Sequence, residues 1–288
     1  MRKLFVVFLA VFMITGFAMA QDQGIGITAA LEFGVMGVNK PNDADVRPYL
    51  MPVLSYGNSF GAFDLYTEFD YTFELNEVGG DHPNDLYWDL ALGYNFSLNA
   101  ASTLSVLLEN ENDITFAPLA GASISDLMLG TIRPGLKFDQ KVANAGNIYA
   151  QIDAPIGYFK GWGYGNENPV GLDYSLGWGS TFGLGLKAKV HTLLAPSDAE
   201  TGYTGFDIKV TYEKGSFFGE VDALIANDKN GDSSLFDGTY KKSGVAIIPK
   251  VQYTFIPNLS AYVFCAFANL TADTDMIVTP ALGVQYSF

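Results

Sequence analysis

The 288-residue chain carries 31 acidic against 16 basic side chains, a formal charge of −15, which excludes a nucleic-acid partner held by phosphate neutralisation. Its single cysteine, Cys265, excludes an internal disulfide, and 16% charged residues with 14% aromatics and 31 glycines is an unusual composition for a soluble enzyme. Mean hydropathy is slightly positive at +0.16, yet past the first twenty residues no long apolar run produces it, so the apolar residues are spread along the chain.

The chain opens on Arg2 and Lys3, continues through an apolar run from Leu4 to Phe17, and reaches the small residues Ala18-Met19-Ala20. That order is the layout of a secretory signal peptide. The run falls short of the roughly 20 apolar residues needed to span a bilayer as a helix. Residues 1–20 are therefore expected to be a cleaved export signal, and residues 21–288 the mature domain. Removal takes away two basic residues and no acids, which moves the charge from −15 to −17. No Cys opens the remaining chain, so a lipoprotein anchor is not indicated.

From there on the pattern is alternation with period two, the mark of strands with two unlike faces. In residues 61–73, Gly61, Phe63, Leu65, Thr67, Phe69, Tyr71 and Phe73 share one face, and Asp64, Tyr66, Glu68, Asp70 and Thr72 the other. The next segment sets Leu86, Trp88, Leu90, Leu92, Tyr94 and Phe96 against Asp85, Tyr87, Asp89, Ala91, Gly93 and Asn95. Strands are predicted at 24–38, 46–56, 60–73, 85–97, 103–112, 126–138, 147–159, 170–179, 181–194, 204–213, 217–226, 244–255, 260–270 and 276–288, and no helix after residue 20. Short turns are expected at Gly57-Asn58, 97–102, Gly179-Ser180, 214–216 and 256–258. Longer connections are expected at 74–84, 113–125, 160–169, 195–203 and 227–243.

This grammar predicts an all-β fold: one antiparallel up-and-down transmembrane barrel of about 14 strands, with 12 as the alternative count and both termini in the periplasm. Two features oppose it. Pro48, Pro52, Pro134, Pro155, Pro249 and Pro280 fall inside predicted strands, where a proline cannot donate to the ladder. A soluble β-sandwich or barrel also alternates, with its apolar face as the core. Against that rival, the apolar face ends repeatedly in Tyr71, Phe73, Trp88, Phe96, Tyr158, Tyr174 and Trp178, as an interfacial aromatic girdle does.

The last residues, Leu282 to Phe288, hold Gly283, Tyr286 and a terminal Phe288. This Gly-x-x-aromatic-x-aromatic ending resembles that of bacterial outer-membrane β-barrel proteins. The resemblance implies an outer-membrane location, outer-membrane lipid around the barrel, and delivery by periplasmic chaperones to the barrel-assembly machinery, which reads that ending. In layout the chain is similar to the monomeric porins of about fourteen strands. It resembles the fatty-acid transport barrels less well, since they are longer and carry an N-terminal plug, whereas strand pattern here starts at Gly24.

On the charged phase, acids Asp64, Glu68, Asp70, Asp85, Asp89, Glu109 and Glu111 occupy the earlier strands. Arg133, Lys137, Lys187, Lys189 and Lys209 occupy the later ones. So many charges require water, so the expected function is a passive channel for small polar or ionic solutes. Acidic positions near 64–111 are expected to face lysines near 187–209, and the acidic excess favours weak cation preference. An equally weighted reading is that these charges only solvate the wall. Residues 113–125 are apolar for an outer connection and either fold into the lumen or extend strand five.

A lipid-modifying enzyme needs a serine with a histidine in reach. Only His82, in a polar connection, and His191, on the inward phase, exist, and Ser175 is the neighbouring-strand serine. An enzyme is not expected, and neither is a cofactor. Asp228, Asn230, Asp232 and Ser234 have the alternate spacing of calcium loops, but the Gly and bidentate Glu are misplaced, so the ordinary reading is an acidic solvated loop. A structural or adhesive surface barrel without transport is the alternative function. The residues do not fix an oligomeric state.

Overall fold

The computed structural model describes residues 26–36, 46–75, 84–115, 128–158, 170–194, 203–227, 244–268, 270 and 276–288. They form one antiparallel sheet closed on itself. Its strands are β1 (Gly26–Met36), β2 (Arg47–Phe60), β3 (Phe63–Glu74), β4 (Asn84–Asn99), β5 (Ser102–Thr115), β6 (Met128–Val142), β7 (Gly146–Asp153) and β8 (Ile156–Tyr158). They continue with β9 (Val170–Gly179), β10 (Leu184–Leu194), β11 (Tyr203–Lys214), β12 (Phe217–Asn227), β13 (Gly244–Ile256), β14 (Leu259–Ala268) and β15 (Ile277–Ser287).

Each strand pairs with its sequence neighbours, and β15 pairs with β1 from Thr28↔Ser287 to Gly34↔Ala281. Because β7 and β8 both pair with β6 on one side and β9 on the other, they make one interrupted stave. The ring therefore has fourteen staves and no open edge. Followed from partner to partner once around, the register returns to β1 displaced by about 16 residues, a shear that tilts the strands by roughly 40° to the barrel axis.

The phase of burial separates a membrane barrel from a soluble one. The exposed side chains are large and apolar: Leu31, Phe33, Phe69, Leu136, Ile152, Leu176, Phe206, Val263 and Leu282 all stand on the outer phase. Among the described residues the buried apolar set is small, namely five alanines, Tyr49 and Tyr262, whereas Glu32, Asp89, Asp153 and Asp173 are buried. A soluble core inverts that distribution. Phe96, Trp178, Tyr212, Phe217, Phe255 and Phe288 lie on the outer phase near the turn end, and Tyr71 and Phe73 at the opposite end. Tyr94–Phe96, Tyr253–Phe255 and Tyr286–Phe288 repeat one edge-to-face pair, with centroids 4.9, 5.2 and 4.8 Å apart. Trp88 lies deeper, stacked 5.9 Å from Phe69 and donating its indole N–H to Thr67 Oγ1 at 3.1 Å. The side chain of Tyr158 lies outside the description.

The prolines are accommodated by gaps. Register between β2 and β3 is lost from Met51-Pro52 and resumes at Val53↔Asp70, and between β13 and β14 it skips Ile248-Pro249. Ala154-Pro155 separates β7 from β8 where Pro134 stands on β6; Ala154 N–H still bonds Pro134 O at 2.9 Å, and Gly171 N–H bonds Pro155 O at 2.8 Å. Pro52, Pro134 and Pro249 project outward, so each missing donor costs one rung without interrupting the lumen wall.

Two boundaries differ by four residues from expectation. The first turn is at Gly61-Ala62, not Gly57-Asn58. Gly57 is paired with Gly26 and Tyr66, while Gly61 takes φ +68°, the left-handed conformation that a tight turn needs. Strand β6 runs four residues beyond its predicted end, to Val142, and turns at residues 143–145. Residues 1–20, the connection at 116–125, His82 and the candidates Asp228, Asn230 and Asp232 lie outside the described residues, whereas 113–115 continue β5.

Candidate functional site: the lumen wall

The register carries one phase of every stave to the inside. On β3 these positions are Asp64, Tyr66, Glu68 and Asp70; across the ladder they meet Gly93, Ala91, Asp89 and Tyr87 of β4. Ala91 and Asp89 in turn meet Glu109 and Glu111 of β5. Asp85 holds the equivalent position opposite Thr72. The seven acidic positions singled out in the sequence are thus contiguous on three adjacent staves. For Asp85 and Glu111 the statement covers the backbone register alone.

The arc from β14 through β15 and β1 to β5 is seven of the fourteen staves. It contains no lysine, and its single arginine is Arg47, at the first residue of β2. Several of its acids are held by neutral donors. Asp64 accepts from Ser59 Oγ and from Asn95 Nδ2, each at 2.5 Å, and Asn95 Oδ1 accepts from Ser105 Oγ at 2.6 Å. Tyr66 O–H donates to Glu68 at 2.5 Å. Glu32 accepts two tyrosine hydroxyls, Tyr49 on one oxygen and Tyr262 on the other, both at 2.8 Å. Such bonds orient carboxylates without neutralising them.

The remaining seven staves, β6 to β13, carry every lysine of the strands, and there several cations stand beside acids. Asp173, 1% exposed, is bonded by Arg133 Nη1 at 2.8 Å and lies 3.2 Å from Lys189 Nζ. Lys209 lies 3.0 Å from Asp222 and 3.5 Å from Glu220, and Lys137 lies 3.1 Å from Asp139. Lys187 stands inward between Gly177 and Lys209. Lys250 lies over the Tyr262 ring, 4.5 Å from its centroid.

This modifies the picture of an acidic wall facing a lysine wall. By stave count β3 stands opposite β11 and β4 opposite β12, so the acids face Asp207, Lys209, Glu220 and Asp222. Lys187 and Lys189 of β10 stand opposite β2. The asymmetry is one of an acidic half without lysine on its staves against a half of mixed charge. Alternation already sets Asp207 on the phase of Lys209; Glu220 and Asp222, which share that phase on β12, were not singled out in the sequence. A cavity along the adjacent staves β1 to β7 is bordered by Asp64, Tyr66, Glu109, Arg133, Gln151 and Asp153.

The ladder sets His191 and Ser175 on adjacent strands, two register positions apart. His191 is registered with Asp173 and Gly205, while Ser175 is opposite Lys189 and Gln151. At the closing strand, Gly283 is inward, opposite Glu32 and Tyr262, while Tyr286 and Phe288 are outward at the turn end, and Phe288 N–H bonds Ile27 O at 2.9 Å.

No protein-family model matches the chain, and no curated protein matches it in sequence. Solved structures do match its fold. A mutant of the TodX monoaromatic hydrocarbon channel superposes with a TM-score of 0.52 at 9% identity, covering 91% of this chain and 89% of that one. The CymD monoaromatic hydrocarbon channel gives 0.50 at 9% identity over 91% and 88%. The KdgM porin gives 0.43 at 11% identity over 91% and 99%. At such identities the likeness is one of architecture alone: a closed, fourteen-stave, all-antiparallel β-barrel with an apolar exterior and a charged interior.

Proposed function

We propose that the chain is an outer-membrane porin, a passive diffusion channel for small polar or ionic solutes with a weak preference for cations. The observation that carries this reading is the seven-stave acidic arc without lysine, facing a wall of mixed charge. Carboxylates of that number are stable only in a hydrated lumen, since a dry one would charge several kcal/mol for each ion. Fourteen staves also enclose more space than inward side chains fill. An excess of acids on one side raises the local concentration of cations and lowers that of anions.

Two structural neighbours named above are hydrocarbon channels, but a wall bearing Glu32, Asp64, Glu68, Asp70 and Asp89 suits solutes that hydrogen-bond. The outer girdles and apolar belt support a place in the lipid bilayer, and the Gly283, Tyr286, Phe288 ending supports delivery by the assembly machinery. Swelling of liposomes containing the refolded chain tests the reading. Small neutral sugars and amino acids are expected to enter faster than in protein-free liposomes, and rates indistinguishable from those of empty liposomes would reject it.

A further inference from the structure

Thirteen of the fourteen stave junctions join strands that follow one another in the chain. The fourteenth, β15 with β1, joins the two ends: Thr28 and Ser287, whose hydroxyls lie 3.2 Å apart, are 259 residues apart in sequence. No turn sets its register, and in a two-faced strand a shift by two residues preserves which side chains face lipid. Alternation alone therefore cannot distinguish the native closure from a neighbouring one.

We propose that Glu32, with Tyr262 and Tyr49, is the lock that sets this register. Glu32 is only 5% exposed and sits opposite Gly283 on one side and Met51 on the other. Tyr262 reaches it from β14, across β15; Tyr49 reaches it from β2. The reach depends on two glycines. The Tyr262 ring lies on Gly283 and the Tyr49 ring on Gly34, and a Cβ at either glycine would overlap the ring.

Tyr262 moves with β15, and Tyr49 with β1. A two-residue slip would place Glu32 opposite Ala281 or Gln285, where a side chain occupies the space the Tyr262 ring needs, and would leave a buried carboxylate without its β14 donor. An unmet buried acceptor is what makes one register preferred over its neighbours. Gly283 thus has a role in closure that is separate from any recognition of the chain's ending, and this inference does not depend on what passes through the barrel.

The test uses the full mature chain refolded into lipid vesicles in a Cys265→Ser background. Leu31→Cys with Val284→Cys reports the native register, since the two are paired on the outer face; Leu31→Cys with Leu282→Cys or with Tyr286→Cys reports slips of two residues. Mild oxidation and mass spectrometry give the ratio of slipped to native disulfide. Tyr262→Phe, which removes one hydroxyl from the far side of the seam, is expected to raise that ratio about tenfold. Tyr49→Phe, which removes the same group from the near side, is expected to leave it unchanged. Slippage, or loss of the closed form on unheated gels, confined to Tyr262→Phe supports the lock. Equal behaviour of the two variants, or the native disulfide alone in both, overturns it.

Discussion

Charging one outer and one inner leucine separates a lipid-facing belt from an ordinary exposed surface. Leu282 is 54% exposed at mid-stave, with Phe33 and Val263 beside it on the outer face. In water, an arginine at so open a position changes stability by no more than about 0.5 kcal/mol. At the bilayer midplane the same arginine costs about 2–4 kcal/mol. Leu107 is at comparable depth on β5 but points inward, between Gly93 and Gly135 and close to Glu109. An arginine there meets water and carboxylates, so Leu107→Arg is expected to stay within about 0.5 kcal/mol of the parent. Denaturant unfolding of each variant in lipid vesicles, followed by tryptophan fluorescence, gives the comparison. A Leu282→Arg loss no larger than that of Leu107→Arg would mean the outer face does not contact lipid, and the membrane reading would fail.

Three further outcomes follow from the wall and the ending. Replacing Asp64, Glu68 and Asp70 by Asn, Gln and Asn should reduce the cation-to-anion permeability ratio at low salt, with the reduction fading as salt screens the wall. An unchanged ratio would assign the filter elsewhere. Arg133→Ala takes one cation from buried Asp173 and should cost about 1–3 kcal/mol, while a double-mutant cycle with Asp173→Asn should show coupling of the same order. Deleting Phe288 should lower the folded fraction recovered in cellular outer membranes by more than it lowers refolding yield into pure lipid. Equal losses in both would make the aromatic a packing residue alone.

Strands were legible because alternation survives wherever one face meets lipid and the other water. The stretch from Phe63 to Phe73 shows both faces without interruption, and its predicted span ends within a residue of β3. The first turn was misplaced because Gly57-Asn58 has turn chemistry, yet Gly57 is needed flat against Gly26, and the positive φ falls to Gly61. Pro155 could not be read as a break from sequence, because Pro52, Pro134 and Pro249 are tolerated in unbroken strands at the loss of a rung.

The inward acids and lysines could be assigned by phase, but their partners could not. Arg133 reaches past β7 to Asp173 on β9, a contact between residues 40 apart that no local spacing announces. The Glu32 lock was hidden for the same reason. Tyr262 is 230 residues from Glu32, and only closure of the ring brings them together.

The central claim is an open, water-filled lumen with an acidic half. Single-channel recording in a planar bilayer, with a tenfold KCl gradient across it, tests both parts at once. Discrete conductance steps are predicted, with a reversal potential displaced toward that of potassium. Absence of steps from correctly folded protein would contradict the pore, and a reversal potential displaced toward chloride would contradict the role assigned to the acidic arc.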